Sequence, residues 1–461
     1  MKRKRKIIWG IILLLLIAGG VVCKKRWKAW FGNLPEIRYV LTDEPQRVLL
    51  TFGNEGELSR NVSWVCGGVS KQAKLEYTKV GSGDTVWVDG YSKFFRTLGG
   101  FCYANWAKFG KLAYGASYAY RVWNDSDVSK WYSFSTQPDS TDCFSFAFIG
   151  DVQDTLRGKT REFMENIRHR YPDTDFYMFA GDFVERPMNC YWEEAYQSID
   201  SIAPCKPVIV SPGNHEYIKG LTRIMEKRFA YAFSYLLDSR YKGNNVYAID
   251  YKDATIITLD SNRDPWFLFS QREWLKKKLK ASDKKWKIVM FHHPVYSIKG
   301  KMNNLPVRWM FDSLLREYGV DLVLQGHEHN YARMTNKKEN GGMTVPIYLV
   351  SHASPKEYRL RFNDKYDRFG TNHRFYQMIE VKGDTLRMKA FLEDNSLYDD
   401  VEIIKTASAP VRVIDNARHI PEILEQPWLK GRKAKKFREG VERWEKKKRF
   451  VQANNNEICW G

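Results

Sequence analysis

Phe144-Ser145-Phe146-Ala147-Phe148-Ile149-Gly150-Asp151-Val152-Gln153 is a short apolar run that passes directly into a polar cluster. A run of this length, closed by Gly and Asp, reads as a buried strand ending in a turn. The same pattern recurs downstream. Residues 176–180 run into Gly181-Asp182, and 208–210 precede Gly213-Asn214-His215-Glu216; 288–291 meet His292-His293-Pro294, and 322–324 precede Gly326-His327-Glu328-His329. Between these strands, 161–171 and 271–280 have helical spacing, with Phe163, Ile167 and Tyr171 on one face. Strands alternating with helices predict an α/β domain. Further strands at 246–251, 254–259, 347–350 and 376–381 supply enough for two packed sheets flanked by helices.

Upstream the texture differs. Residues 31–138 carry short alternating runs such as Arg47-Val48-Leu49-Leu50-Thr51-Phe52 and Tyr118-Ala119-Tyr120-Arg121-Val122, separated by Gly, Asn, Asp and Ser clusters. That predicts an all-β sandwich. Its last strand is expected at 131–136, and Gln137-Pro138-Asp139-Ser140 reads as a linker. The expected division is a signal anchor or signal peptide over 1–30, the sandwich over 31–138, the α/β domain over 139–405 and a basic tail over 406–461. A chain of 461 residues with 43% hydrophobic content can support at least two cores.

The formal charge of +20 is concentrated toward the two ends. Lys2-Arg3-Lys4-Arg5-Lys6 precedes an apolar run over 7–22, the order of a signal peptide or signal anchor. The run is slightly shorter than the ~20 residues of a spanning helix. Ala18-Gly19-Gly20 offers small residues for a peptidase, so anchor and cleaved signal both stay open. Val22 before Cys23 disfavours lipidation there. In the tail, 421–449 is dominated by Lys, Arg and Glu with scattered Trp and Phe, and reads as an amphipathic helix that is solvated or packs one face on its own domain, with a second reading in which 430–449 lies along an anionic bilayer. It lacks a nucleic-acid reading motif, so no nucleic-acid partner is expected. The cysteines beyond Cys23 are even in number, which permits disulfides, but none has the close paired spacing of a zinc ribbon or redox motif.

The chemistry lies in the clusters. Carboxylate, amide and imidazole ligands at strand ends can converge on metal, and glycines beside them allow sharp turns and close backbone approach. Any one cluster is ordinary; five after apolar strands, with His at alternating positions in His327-Glu328-His329, point to a dinuclear metal site. Two cations about 3.5–4 Å apart can lower the pKa of a bound water and clamp phosphoryl oxygens, so no protein nucleophile is needed.

The order of the five clusters resembles the calcineurin-like metallophosphoesterase superfamily, in particular its purple acid phosphatase branch. The fibronectin type III-like sandwich, Val246-Tyr247-Ala248-Ile249-Asp250-Tyr251 before Leu259-Asp260-Ser261, and Gln271-Arg272-Glu273-Trp274-Leu275 extend the likeness over roughly residues 35–395. The resemblance implies that Asp182 bridges two metals, with Asp151 and His329 on the first and Asn214, His292 and His327 on the second. It makes His215 the catalytic histidine that contacts phosphate and protonates the leaving oxygen while a metal-bound hydroxide attacks phosphorus. Two positions depart from the purple branch. Glu185 stands where that branch has the tyrosine responsible for its colour, so no purple chromophore is expected. Gln153 stands where it has glycine. Either residue could complete the first site or merely line the cleft, which leaves the two metal ions open among iron, zinc and manganese. His293 is a candidate substrate contact. Asp260 and His352 are expected to be structural, and 296–304 lacks the further histidines that the branch often carries.

The leading expectation is hydrolysis of small anionic phosphate monoesters outside the cytoplasm, by a chain held at or secreted across a membrane. A phosphodiesterase or nuclease could use the same cluster. From another class, a binding protein carrying a dead enzyme domain is opposed by the completeness of the second ligand set.

Overall fold

Alternation of side chains decides the layers. In the strands Ala254–Thr258, Trp286–Met290 and Leu322–Gln325, the side chains of Ile256, Ile288, Leu322 and Leu324 enter one apolar cluster, while Ile257, Val289 and Val323 enter another. A sheet that is apolar on both faces must be covered on both. The computed structural model describes residues 2–458 apart from 54–55, 69–71, 221, 234–244, 263–264, 301–303 and 339–341, so Cys459 lies outside the described residues.

One face of this sheet packs on a second sheet. In order, the second sheet runs Val208–Val210, Phe176–Phe179, Cys143–Ile149, Phe375–Lys382, Thr385–Leu392, Leu397–Ile404 and Arg412–Asp415. The first contains Tyr247–Tyr251, the three strands named above, Met343–Val350, Tyr331–Lys337 and Arg368–Gly370. Phe146, Met178, Ile209 and Ile379 meet Ile256, Ile288 and Leu324 between them. On the outer faces, helix Thr160–Arg170 places Phe163, Met164 and Ile167 on one sheet. Helices Pro265–Ala281 and Leu305–Glu317 cover the other with Leu275, Leu279, Phe311 and Leu314.

The amino-terminal strands form a sandwich as expected. Gln46–Gly53, Gly56–Cys66, Phe101–Phe109 and Tyr91–Arg96 make one sheet. Thr85–Asp89, Ala73–Lys79, Ser117–Asn124, Asp127–Val128 and Tyr132–Ser135 make the other. Val48, Leu50, Val62 and Trp64 face Leu75, Tyr120, Val122 and Phe134 across the core. The sandwich is pinned to the α/β domain, because the Leu50 amide donates to Ala203 O at 2.7 Å and Tyr120 Oη to Pro204 O at 2.7 Å. The six described cysteines are free thiols.

Both chain ends add to this frame. Helix Lys2–Phe31 contains an apolar stretch, Ile8–Lys25, long enough to cross a membrane and with none of it buried against the protein. At the other end, Arg412–Asp415 pairs antiparallel with Leu397–Ile404, so the sheet continues past residue 405. Helix Gly431–Ile458 then lays Phe437, Val441 and Trp444, spaced i, i+4, i+7, on the outer core. Arg438 and Arg443 between them stay at the surface.

Candidate metal centre

The parallel strands deliver their carboxyl ends to one edge of the paired sheets of the α/β domain, where loops from both sheets meet. Such closeness excludes side chains at the turns. A Cβ on Gly213 would lie 2.0 Å from the Asp182 amide nitrogen, and one on Gly326 2.2 Å from Asp151 Oδ2. Asp151, Asp182, His327 and His329 themselves sit at positive φ, 42°, 48°, 73° and 44°. Non-glycine residues held there cost about 1–3 kcal/mol each and persist only where the surroundings over-determine them.

These loops bring two groups of donor atoms together, Asp151 with Asp182 and His329, and Asp182 with His292 and His327, each within 4.8 Å. Asp182 is common to both. Its Oδ2 lies 3.3 Å from His292 Nε2, while Asp151 Oδ1 lies 3.4 Å from His329 Nε2. Asn214 Oδ1 joins the second group at 3.3 Å from His292 Nε2, and His327 Nδ1 faces that same nitrogen at 3.2 Å. The rings are oriented from behind. His292 Nδ1 donates to Ala180 O at 2.8 Å and His329 Nδ1 to Lys356 O at 2.7 Å, which directs both Nε2 lone pairs into the site.

His215 is placed differently. Its amide donates to Asp182 Oδ1 at 2.9 Å, its Nδ1 to the Glu185 carbonyl, and its Nε2 stands 3.9 Å from Asp182 Oδ2 outside both groups. His293 lies beside them, with Nδ1 3.0 Å from Ser261 Oγ and its ring 4.2 Å from that of His327. Asp260 accepts from Tyr217 Oη and from Asn245 Nδ2 at 2.6 Å, and His352 is buried with its ring 5.7 Å from that of His329.

Charge is concentrated here. Burial opposes ionisation of Asp182, but His292 and His215 outweigh it and hold the carboxyl well below the usual range. Burial likewise opposes the His292 imidazolium, yet Asp182 and Asp151 bring it up to about 10. His327 and His293 go the other way, pushed well below their ordinary value by burial and then by neighbouring rings. Neutral imidazole is the form that binds metal. Asp151 Oδ1 and Gln153 Oε1 are buried without a hydrogen-bond partner. Oxygens left unsatisfied beside inward-facing imidazole nitrogens fit bound cations, and a donor set of nitrogen and oxygen suits iron, zinc or manganese.

Residues 144–331 match the calcineurin-like phosphoesterase family, and residues 45–136 match the purple acid phosphatase N-terminal domain. The chain therefore carries a calcineurin-like phosphoesterase domain behind a purple acid phosphatase N-terminal domain. Purple acid phosphatase 21 of Arabidopsis thaliana is 27% identical to this metallophosphoesterase over 302 residues, 62% of the chain and 65% of the relative. Fe(3+)-Zn(2+) purple acid phosphatase 12 of the same plant is 26% identical over 324 residues, 63% and 65% of the two. The chain thus spans just under two thirds of either relative. A solved purple acid phosphatase from yellow lupin seeds shares the fold, with TM-score 0.68 at 17% identity, covering 79% of this chain and 75% of the other.

At the two departures, the metallophosphoesterase site is asymmetric. Gln153 reaches into it, its side-chain amide 3.4 Å from His329 Nε2. Glu185 enters neither donor group and contributes its backbone carbonyl to His215. Two carboxylates carry more of the site than their sequence positions revealed. Glu216, fully buried, accepts from the amides of Gly213, Asp182, Phe183 and Val184 at 2.6, 2.9, 2.7 and 3.2 Å. Glu328, between two site histidines, binds the loop at 297–298. Both stood inside the recognised clusters, but their partners are backbone amides or distant loops that no motif specifies.

Proposed function

We propose that this chain hydrolyses phosphate monoesters at a dinuclear metal centre on the exported side of a membrane. The observation that carries the reading is the sharing of Asp182 by two adjoining donor groups. Asp182 would bridge two cations, with Asp151 and His329 holding one, and Asn214, His292 and His327 the other. Gln153 is placed to complete the first set. When bound, two such cations supply Lewis-acid charge and lower the pKa of a coordinated water. His215 takes the part of general acid. Its Nδ1–H is fixed on the Glu185 carbonyl, so in the imidazolium form it is the Nε2 proton that would pass to a leaving oxygen in the cleft. His293, its ring 4.2 Å from that of His327, is the candidate for a substrate contact beside the second donor group. The exposed apolar helix at the amino terminus supports either a retained anchor or a cleaved signal.

The test is turnover of phenyl phosphate and of bis(4-nitrophenyl) phosphate by the full chain in detergent, loaded in turn with iron, zinc and manganese. Faster monoester hydrolysis is expected. Hydrolysis of neither, or a preference for the diester, overturns the reading. Membrane fractionation with amino-terminal sequencing addresses the location, since a soluble form starting near Val21 would establish cleavage.

A further inference from the structure

Outside the histidines the centre has a cationic rim that the reading above leaves unused. Its first part is the loop after His292-His293-Pro294, which Glu328 holds in place. The Glu328 carboxylate accepts from Ser297 Oγ at 2.7 Å, from the Ile298 amide and from Asn304 Nδ2 at 3.1 Å. Ser297 Oγ accepts in turn from the amides of Lys299 at 3.1 Å and Gly300 at 3.0 Å. The turn that carries His327 and His329 therefore also sets the position of Lys299. Across from it, the Arg361 amide donates to Ile298 O at 2.7 Å, tying this loop to the segment that contains Lys356 and Tyr358.

These two loops converge on one ring. Lys299 Nζ lies 3.4 Å from the centroid of the Tyr358 ring and Lys356 Nζ lies 5.5 Å from it, while the ring itself is 4.6 Å from that of His329. Among the described residues neither ammonium is ion-paired with a carboxylate. Exposure increases outward, with Asp151 and His329 buried, Lys299 and Tyr358 partly buried and Lys356 exposed. Cations attracted to the same aromatic ring also repel one another, and an anion between them relieves that repulsion. A transferred phosphoryl group would sit at the buried donor groups. The rim lies farther out, where the remainder of the substrate must pass.

We propose that Lys299 and Lys356, gathered at Tyr358, form a subsite for a second anionic group on the substrate's leaving side. The inference rests on the phosphatase reading and narrows it to compounds such as phosphoanhydrides or carboxylated phosphate esters. With pyrophosphate the products are two orthophosphates. A water oxygen bonds to the attacked phosphorus, the bridging P–O bond breaks, the departing oxygen takes the His215 proton, and a proton from the water restores the ring. Lys299 and Lys356 hold the departing phosphate.

The experiment compares the metal-loaded full chain with Lys299→Met, Lys356→Met and the double variant on pyrophosphate, phosphoglycolate and phenyl phosphate. In parallel, calorimetry measures binding of methylenediphosphonate and methylphosphonate, a readout independent of turnover. Metal content and circular dichroism establish that each variant is folded. In the double variant, kcat/KM for pyrophosphate and phosphoglycolate relative to phenyl phosphate should fall about tenfold or more, as expected for lost charged contacts. The preference for methylenediphosphonate over methylphosphonate should fall with it. A loss for pyrophosphate alone assigns the subsite to phosphate, and a loss for both assigns it to either anion. Unchanged ratios overturn the proposal, as do equal losses on all substrates, which would place the lysines on the transferred phosphoryl group. If the wild-type chain turns over no ester, the phosphatase reading fails, and the diphosphonate preference still decides the subsite.

Discussion

Glu216→Gln tests whether the buried carboxylate behind Asp182 holds the centre together. In the native protein one oxygen accepts from the amides of Asp182 and Gly213 at 2.9 and 2.6 Å, and the other from Phe183 and Val184 at 2.7 and 3.2 Å. Four donors on two oxygens leave no room for a carboxyl proton, so the geometry serves the ionised form although burial and then Asp182 push its pKa up to about 7. Glutamine keeps one oxygen. In either orientation its NH₂ faces two buried N–H groups, and each unsatisfied donor costs about 1–3 kcal/mol. The loss is about 2–6 kcal/mol, a large part of the ~5–15 kcal/mol that stabilises a typical domain. At about 2–4 °C per kcal/mol for a domain of this size, the melting temperature should drop by roughly 5–20 °C. Because the same amides fix Asp182 at φ 48°, metal content should fall as well. Scanning calorimetry and metal analysis of the full chain in detergent provide both numbers. A variant that melts within about 2 °C of wild type and keeps its metals would refute the reasoning.

Further outcomes follow from the same geometry. His215→Ala should retain metal while turnover falls by about 10²–10⁴, the range for a lost general acid; loss of metal instead would make His215 a ligand. Metal affinity should rise with pH between 6 and 8. Asp182 outweighs burial to hold His292 up to about 10, so loading below that pH displaces a proton from the ring. Chelator competition across that interval reads the slope, and a flat profile would show that no proton is released. Trp444→Ala, at a side chain 3% exposed, should cost about 3–5 kcal/mol without changing metal content. A negligible change in urea unfolding would mean that the carboxyl-terminal helix contributes no stability.

The strands that lead into the candidate donor residues were legible because burial on both faces gave continuous apolar runs, each ended by a Gly-containing or His-rich turn. Other elements were blurred for physical reasons. Helix Leu305–Glu317 buries Val307, Phe311, Leu314 and Leu315 but leaves Trp309 69% exposed, which breaks the apolar stripe. Helix Asn189–Ser198 begins at Met188 without a side-chain cap. Strand Arg412–Asp415 is short and buries chiefly Val413, so its place in the sheet comes from pairing with Leu397–Ile404 and from Arg333, whose Nη2 lies 3.0 Å from Asp415 Oδ2. At the centre, the five clusters pointed to a metal site, and the family resemblance implied which of their residues would be its ligands. The rim of Lys299, Lys356 and Tyr358 did not emerge, because it forms where two loops far apart in sequence meet.

The most direct measurement is metal stoichiometry of the purified full chain beside Asp182→Ala, with phenyl phosphate turnover on the same samples. A carboxylate common to both donor groups predicts two metals per wild-type chain, and loss of both metals and turnover in the variant. An Asp182→Ala protein that keeps two metals and full activity would contradict the bridging centre outright.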